Sequence, residues 1–355
     1  MSYLGPNAVM RGVQLTFVSA HRALQNPAMF TSDHYRQAAL AVMLGIAIRL
    51  IVAIPITGIR VLLWAVSTFY PLEAVSWNDS LIEGLDFIGE YVLQLPLFLM
   101  ALMRYVVPTL DFLFMQSLHW VDKTYVQKHF KDDSQDELRD MYYPNLVQYS
   151  RVVDGSTGSQ STAPALSTFL YRFARKGCIS AAIFALSHLP VVGSLVLPAA
   201  SFYTFNKAAG LGLAVITFGT GIFLPRKYLV VFLQTYFASR SLTRELLEPY
   251  FVRVRFTKTE KRNWFRSREG VLFGFGLGFY ALMRVPLLGV LIYGIAEAST
   301  AYLITKITDP PPPPAEMRQY AKSQQTWRNR HEFLSPSLAN IDTTNNGAPT
   351  ARQAS

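Results

Sequence analysis

The sequence has little charge and almost no cysteine. Only 16% of its 355 residues are Asp, Glu, Lys or Arg, against roughly a quarter in an ordinary soluble domain. Its single cysteine, Cys178, excludes an intrachain disulfide and a cysteine metal cluster. Catalytic signatures are missing as well. There is no His-Glu-x-x-His, no Gly-x-Ser-x-Gly and no Walker loop. Gly274-Phe-Gly276-Leu-Gly278 is not a dinucleotide loop, because Phe occupies position 279 and no strand precedes it. The acidic run Asp132 to Asp140 lacks EF-hand spacing and reads as a solvated charge run. The expectation is a non-enzyme without metal or cofactor.

What fills the chain instead is apolar. Half the residues are hydrophobic, mean hydropathy is +0.22, and the apolar residues come in long blocks. Backbone in lipid must satisfy its own hydrogen bonds, so such blocks should be helices. A β-barrel would show short alternating segments. The fold expected is all-α: an integral membrane bundle of spanning helices and re-entrant hairpins, with a disordered C-terminal tail. The net charge of +10 suits cytosolic loops near anionic lipid. No aromatic-basic nucleic-acid module accompanies it.

The organising signal is an internal repeat. Ala281 to Thr300 is apolar and breaks at Pro286-Leu-Leu-Gly289; the pattern occurs 96 residues earlier, at Ala185 to Thr204, breaking at Pro190 and Gly193. Seven of twenty aligned positions are identical. Proline removes an amide donor and glycine lets the chain reverse. The step therefore suggests a helical hairpin that enters lipid and returns. A kinked spanning helix is the alternative.

Five segments follow in order. Residues 1–36 hold an amphipathic interfacial helix, with Val9, Val13, Phe17, Ala20 and Leu24 on one face and Asn7, Arg11, Gln14, His21 and Gln25 on another. Residues 37–118 hold two membrane segments joined by the acidic loop Pro71 to Asp86. Residues 119–165 form a polar, mixed-charge insertion and linker. Residues 166–306 carry the repeat; Gly270, Gly274 and Gly278 recur there at the spacing that lets helices approach closely. Residues 307–355 form a Pro-rich tail, expected to be disordered beyond the polyproline spacer Pro310 to Pro314.

Basic flanks mark the cytosolic side. All of them, and both termini, are cytosolic if the first two blocks cross and the later two are hairpins. Pro71 to Asp86 is then lumenal and Asn78 a glycosylation acceptor. A rival topology turns the first block back at Pro55 and keeps everything cytosolic, as on a lipid-droplet monolayer. Modification of a reporter at Asn78 excludes the rival.

Arg240-Ser-Leu-Thr-Arg-Glu-Leu-Leu-Glu-Pro-Tyr250, Gly274-Phe-Gly-Leu-Gly278 and Arg284-Val-Pro-Leu-Leu-Gly289 followed by Ala296-Glu-Ala298 stand in this order after an amphipathic start ending in Asn26-Pro27. The arrangement resembles the etoposide-induced 2.4 / CysZ-like membrane family, most of all its fungal lipid-droplet and outer-spore-wall branch, over residues 165–305. The resemblance implies residence in the endoplasmic reticulum or on lipid droplets. Its fungal members imply lipid storage and spore-wall assembly, and its bacterial members imply sulfate transport.

Six ionisable residues interrupt the apolar blocks: Arg49, Arg60, Arg104, His188, Arg284 and Glu297. Such groups are costly in lipid and often functional. His188 and Arg284 each stand two residues before the repeat proline. With the amides after Pro190 and Pro286, down to Gly193 and Gly289, they could hold an anion or a lipid phosphate. The competing account, which carries more weight, has these charges snorkel or pair internally, for instance Arg284 with Glu297. The expected partners are membrane lipids, with anionic lipid at the basic loop 253–268. The expected function is a non-enzymatic protein of the endoplasmic reticulum and lipid droplet, and the alternative is an anion permease.

Overall fold

The computed structural model describes residues 4–30, 43, 54, 57, 58, 61, 109–129, 138–149, 171, 175, 199, 202, 203, 205, 206, 210–221, 226–254, 256–285, 289–313, 316–328 and 330–334. Arg49, Arg60, Arg104, Asn78, His188, Pro190, Gly193 and Pro286 lie outside these residues, as does most of the first repeat copy. Every regular element among the described residues is helical and none is a strand. Among them, no helix is long and apolar enough to cross a membrane.

Chain contacts divide the protein into two compact units. One contains residues 38–107 and 160–234. There, helix α4 (Leu211–Gly221) follows Gly210, whose φ of +94° suits a residue without Cβ. Phe218 of α4 meets Phe202 and Phe205 at centroid distances of 5.4 and 6.4 Å. Leu211, Val215 and Ile216 remain exposed.

The other unit contains residues 1–37, 108–159 and 235–355. Its described helices are α1 (Pro6–Leu24), α2 (Thr109–His129), α3 (Tyr142–Gln148), the second half of α5 (Arg226–Leu246), α6 (Glu248–Arg253), α7 (Lys258–Ser267), α8 (Glu269–Met283), α9 (Gly289–Ile307), α10 (Met317–Ser323) and α11 (Arg330–Leu334). Helix α8 is flanked on two sides through its glycines. A Cβ at Gly274 would fall on the carbonyl oxygen of Val9, and one at Gly278 on Thr16, both in α1. Gly12 of α1 reciprocates, backing onto Gly274 and Val271. Gly276 points the other way, where a Cβ would meet Ser239 and Thr243 of α5. Positions 274 and 278 are one turn apart and 276 lies opposite, so alternate glycines serve alternate neighbours.

The close approach brings hydroxyls to backbone. Thr16 donates to Phe275 O at 3.2 Å from the α1 side, and Thr243 donates to Leu272 O at 3.0 Å from the α5 side. Small residues let helix backbones approach this closely, and the Ser/Thr hydroxyls then bond across the seam.

Helix α1 has three faces rather than two. It packs through Ala8, Gly12, Leu15, Thr16, Ser19 and Ala23, all buried. Of the expected apolar face, Phe17 and Leu24 are exposed and Val9, Val13 and Ala20 half-buried; of the expected polar face, Asn7, His21 and Gln25 are exposed and Arg11 and Gln14 half-buried, with Met10 exposed between the two.

Helices α8 and α9 pack against each other and are joined by residues 284–288, the break the repeat announces. At 1.5 Å per residue the arms are about 22 and 28 Å long. The tail corrects an expectation. Residues 309–313, 316–328 and 330–334 are folded onto this unit, with Tyr320, Ala321, Gln324 and Phe333 buried. Composition predicted disorder, but these side chains have a prepared surface to dock on. Residues 335–355 lie outside the described ones.

Two glycines in one hairpin should respond oppositely. Gly276→Ala meets α5 and should cost about 1–3 kcal/mol. Gly294→Ala has open space in α9 and should gain about 0.5–1 kcal/mol. Thermal unfolding of the detergent-solubilised protein reads both signs.

Candidate functional site

The hairpin's two ends meet at one side chain. Arg268 stands between α7 and α8, is 1% exposed, and donates in several directions at once. Its Nε reaches Ile307 O at 2.7 Å, at the far end of α9. Nη1 reaches Gln324 O at 2.9 Å and Ser267 Oγ at 2.8 Å, and Nη2 reaches Gln324 Oε1 at 3.4 Å. The guanidinium lies over the rings of Trp264 and Trp327, at 4.7 and 5.9 Å. Only a planar fork with five donors can bind carbonyls in so many directions. Burial pulls its pKa down to about 10, against the opposing effects of Tyr250, Tyr320 and Asp309.

A phenol network seals the same region. Tyr320 donates to Asp309 O at 2.6 Å, so in the 3.0 Å contact between the two phenols Tyr250 is the donor. Burial pushes Tyr250 up to about 12. Tyr142 of α3 donates to Thr308 O. A small polar cleft opens beside Arg268, lined also by Lys306, Asp309, Gln324, Trp327 and Arg328.

Two further ion pairs fix the surrounding helices. Arg253 of α6 grips Asp111 of α2 with two bonds of 2.7 Å. Asp122 of α2 accepts from Arg139 at 3.1 Å and from the Tyr143 amide at 2.7 Å; burial raises its pKa, while the amide and Arg139 act against that. Arg139 also lies over Tyr125 and Tyr142, 4.4 and 4.8 Å from their centroids. The insertion is thus anchored at both described ends; its acidic centre, 131–137, lies outside the described residues.

Of the residues expected from the repeat, Arg284, Gly289 and Glu297 lie among the described ones. Arg284 is exposed at the hairpin's turn, donating to Tyr280 at 3.2 Å with its guanidinium 5.0 Å from that ring. Glu297 is fully buried in α9, whereas Arg284 meets Tyr280 one turn before it. Gly289 is the first residue of α9. Within 253–268, Arg253 and Arg268 are buried while Lys258, Arg262 and Arg266 are exposed at every fourth position of α7. Arg268 gave no sign of its role beyond following Trp264 by one turn. Among the described residues, no group of three or more His, Cys, Asp or Glu is placed to hold a metal. No family model, curated protein or solved structure matches this chain.

Arg268→Lys keeps a cation but loses the fork, leaving buried carbonyls without donors. It should destabilise the base of the hairpin by roughly 2–4 kcal/mol and release the chain after 309 to protease; unchanged stability and protection would contradict the role. A pH effect follows from Tyr250. Its unfolded phenol ionises near 10 and its folded one near 12, so above pH 10 the unfolded state holds fewer protons and stability falls as pH rises to 12. Tyr250→Phe should flatten that alkaline loss in a pH series of melting temperatures.

Proposed function

We propose that this chain is a non-enzymatic, multi-pass membrane protein that seats helical hairpins and an amphipathic helix in a lipid surface. Its compartment is the endoplasmic reticulum membrane or the lipid droplet, where it supports lipid storage or outer spore-wall assembly. One observation carries the reading: the α8–α9 hairpin is closed at its base by Arg268 and open and apolar at its turn, where Val285 and Leu291 are 43% and 52% exposed. Exposed apolar surface of this kind marks an interaction site. Arms of about 22 and 28 Å fit within a hydrocarbon layer of about 30 Å, and neither needs to cross it. A loop whose ends share one side also suits a monolayer, which has no water beyond it.

Two more features support the reading. The outer strip of α1, Met10, Phe17 and Leu24 beside its polar strip, has the pattern of a helix resting in the interface. The cationic stripe of α7, Lys258, Arg262 and Arg266, would meet anionic headgroups at about 1 kcal/mol per charge. The compartment and the spore-wall role rest on the family resemblance. The permease alternative rests on the paired Pro-x-x-Gly motif; the Arg284–Tyr280 contact favours a snorkelling arginine over an anion ligand.

In a Cys178→Ser background, Arg262→Cys and Arg318→Cys flank the hairpin and Val285→Cys sits at its turn. The reading expects both flanks to react with an impermeant maleimide outside sealed microsomes, and the turn to stay protected. A fluorescent fusion should move to droplets in oleate-fed cells. Flanks labelled from opposite sides, or a uniform plasma-membrane signal, would overturn it.

A further inference from the structure

The described prolines 310–313 are not a bare spacer. Their chain is held by α3 and the residue after it, through side chains that only donate to backbone carbonyls. Tyr142 donates to Thr308 O, Asn145 Nδ2 to Pro311 O at 2.7 Å, and Tyr149 OH to Pro312 O. Prolines offer no amide, so such a strap can only accept. Two phenols and an amide on one side of a short helix therefore match its chemistry. This is how aromatic grooves read polyproline: hydroxyl and amide donors to the carbonyls, aromatic faces to the rings.

The grip is one-sided. Pro311 is buried, Pro310 and Pro312 are half-buried, and Pro313 is exposed. With three residues per turn, Pro310 and Pro313 share one edge of a polyproline helix. The edge carrying Pro311 is turned to α3. A trans reader that grips two neighbouring edges finds one of them covered. The strap is also pinned upstream, where Asp309 accepts from Tyr320 through its carbonyl and from Gln324 through its carboxylate.

We propose that residues 310–313 are a ligand for a polyproline-reading protein module with an aromatic groove, and that α3 masks this ligand in cis. Release of the strap from Asn145 and Tyr149 exposes both edges and admits the partner. The mask is independent of the lipid reading, because every contact in it lies between the insertion and the chain after the hairpin.

The test uses the full chain in detergent and, as probe, an isolated WW domain that reads bare proline runs. A synthetic peptide covering residues 305–319 sets the unmasked affinity. Wild-type protein should bind the probe at least about tenfold more weakly than the peptide does, the scale of two lost competitors for the carbonyls. Asn145→Ala/Tyr149→Phe should recover to within about threefold of the peptide, and adding Pro310→Ala and Pro313→Ala should abolish binding. Should the double variant unfold, Tyr149→Phe alone carries the same comparison with a single hydroxyl removed. A peptide that does not bind the probe overturns the ligand. Wild-type binding equal to the peptide's, or a variant no tighter than wild type, overturns the mask.

Discussion

A single buried guanidinium holds together three stretches of chain. Arg268 precedes α8, Ile307 ends α9 and Gln324 follows α10, and all three meet at its donors. Its hydrogen-bond acceptors here are neutral: carbonyls, a hydroxyl and a side-chain amide. Desolvating a cation for such partners is expensive, and burial accordingly lowers its pKa. The compensation lies in number and in the two indole faces. Without this meeting point, the helices of the hairpin would have no reason to end side by side, and the chain after 309 would have nowhere to dock.

Above that point the hairpin is held by absence of side chain. Alternate glycines of α8 admit α1 on one side and α5 on the other, close enough for Thr16 and Thr243 to reach across to carbonyls. This is close backbone packing, not burial of bulk, and it suits a region whose outward surfaces stay apolar. The hairpin is thus closely packed near its base, while Val285 and Leu291 beside its break are exposed. The insertion and the strap brace the base from outside through Tyr142 and the Asp122–Arg139 pair.

Sequence periodicity reads what is bulky and apolar, and breaks in it. The turn between α8 and α9 was legible because proline and glycine interrupt an apolar run, and the Gly274/Gly278 contact because their spacing is one helical turn. Gly276, between them, was not, since one glycine out of phase has no period. The packing face of α1 escaped notice for a related reason: Ala8, Gly12, Thr16 and Ser19 are neither strongly apolar nor charged. Arg268 was one cation among several in a basic stretch, and only its burial separates it from Arg262 and Arg266. The chain after 309 has the composition of a disordered tail because only a few of its side chains, among them Tyr320, Ala321, Gln324 and Phe333, are buried anchors.

The proposed function turns on a hairpin that would enter lipid by its turn and leave by its base. Spin labels placed one at a time at exposed or half-buried positions from 269 to 307, in the protein reconstituted in bilayers, report depth through their relative accessibility to oxygen and to a polar relaxation agent. The account predicts a symmetric profile, deepest between 285 and 291 and water-accessible at both ends. A profile that deepens and emerges on the opposite face, or one that stays in water throughout, would contradict it.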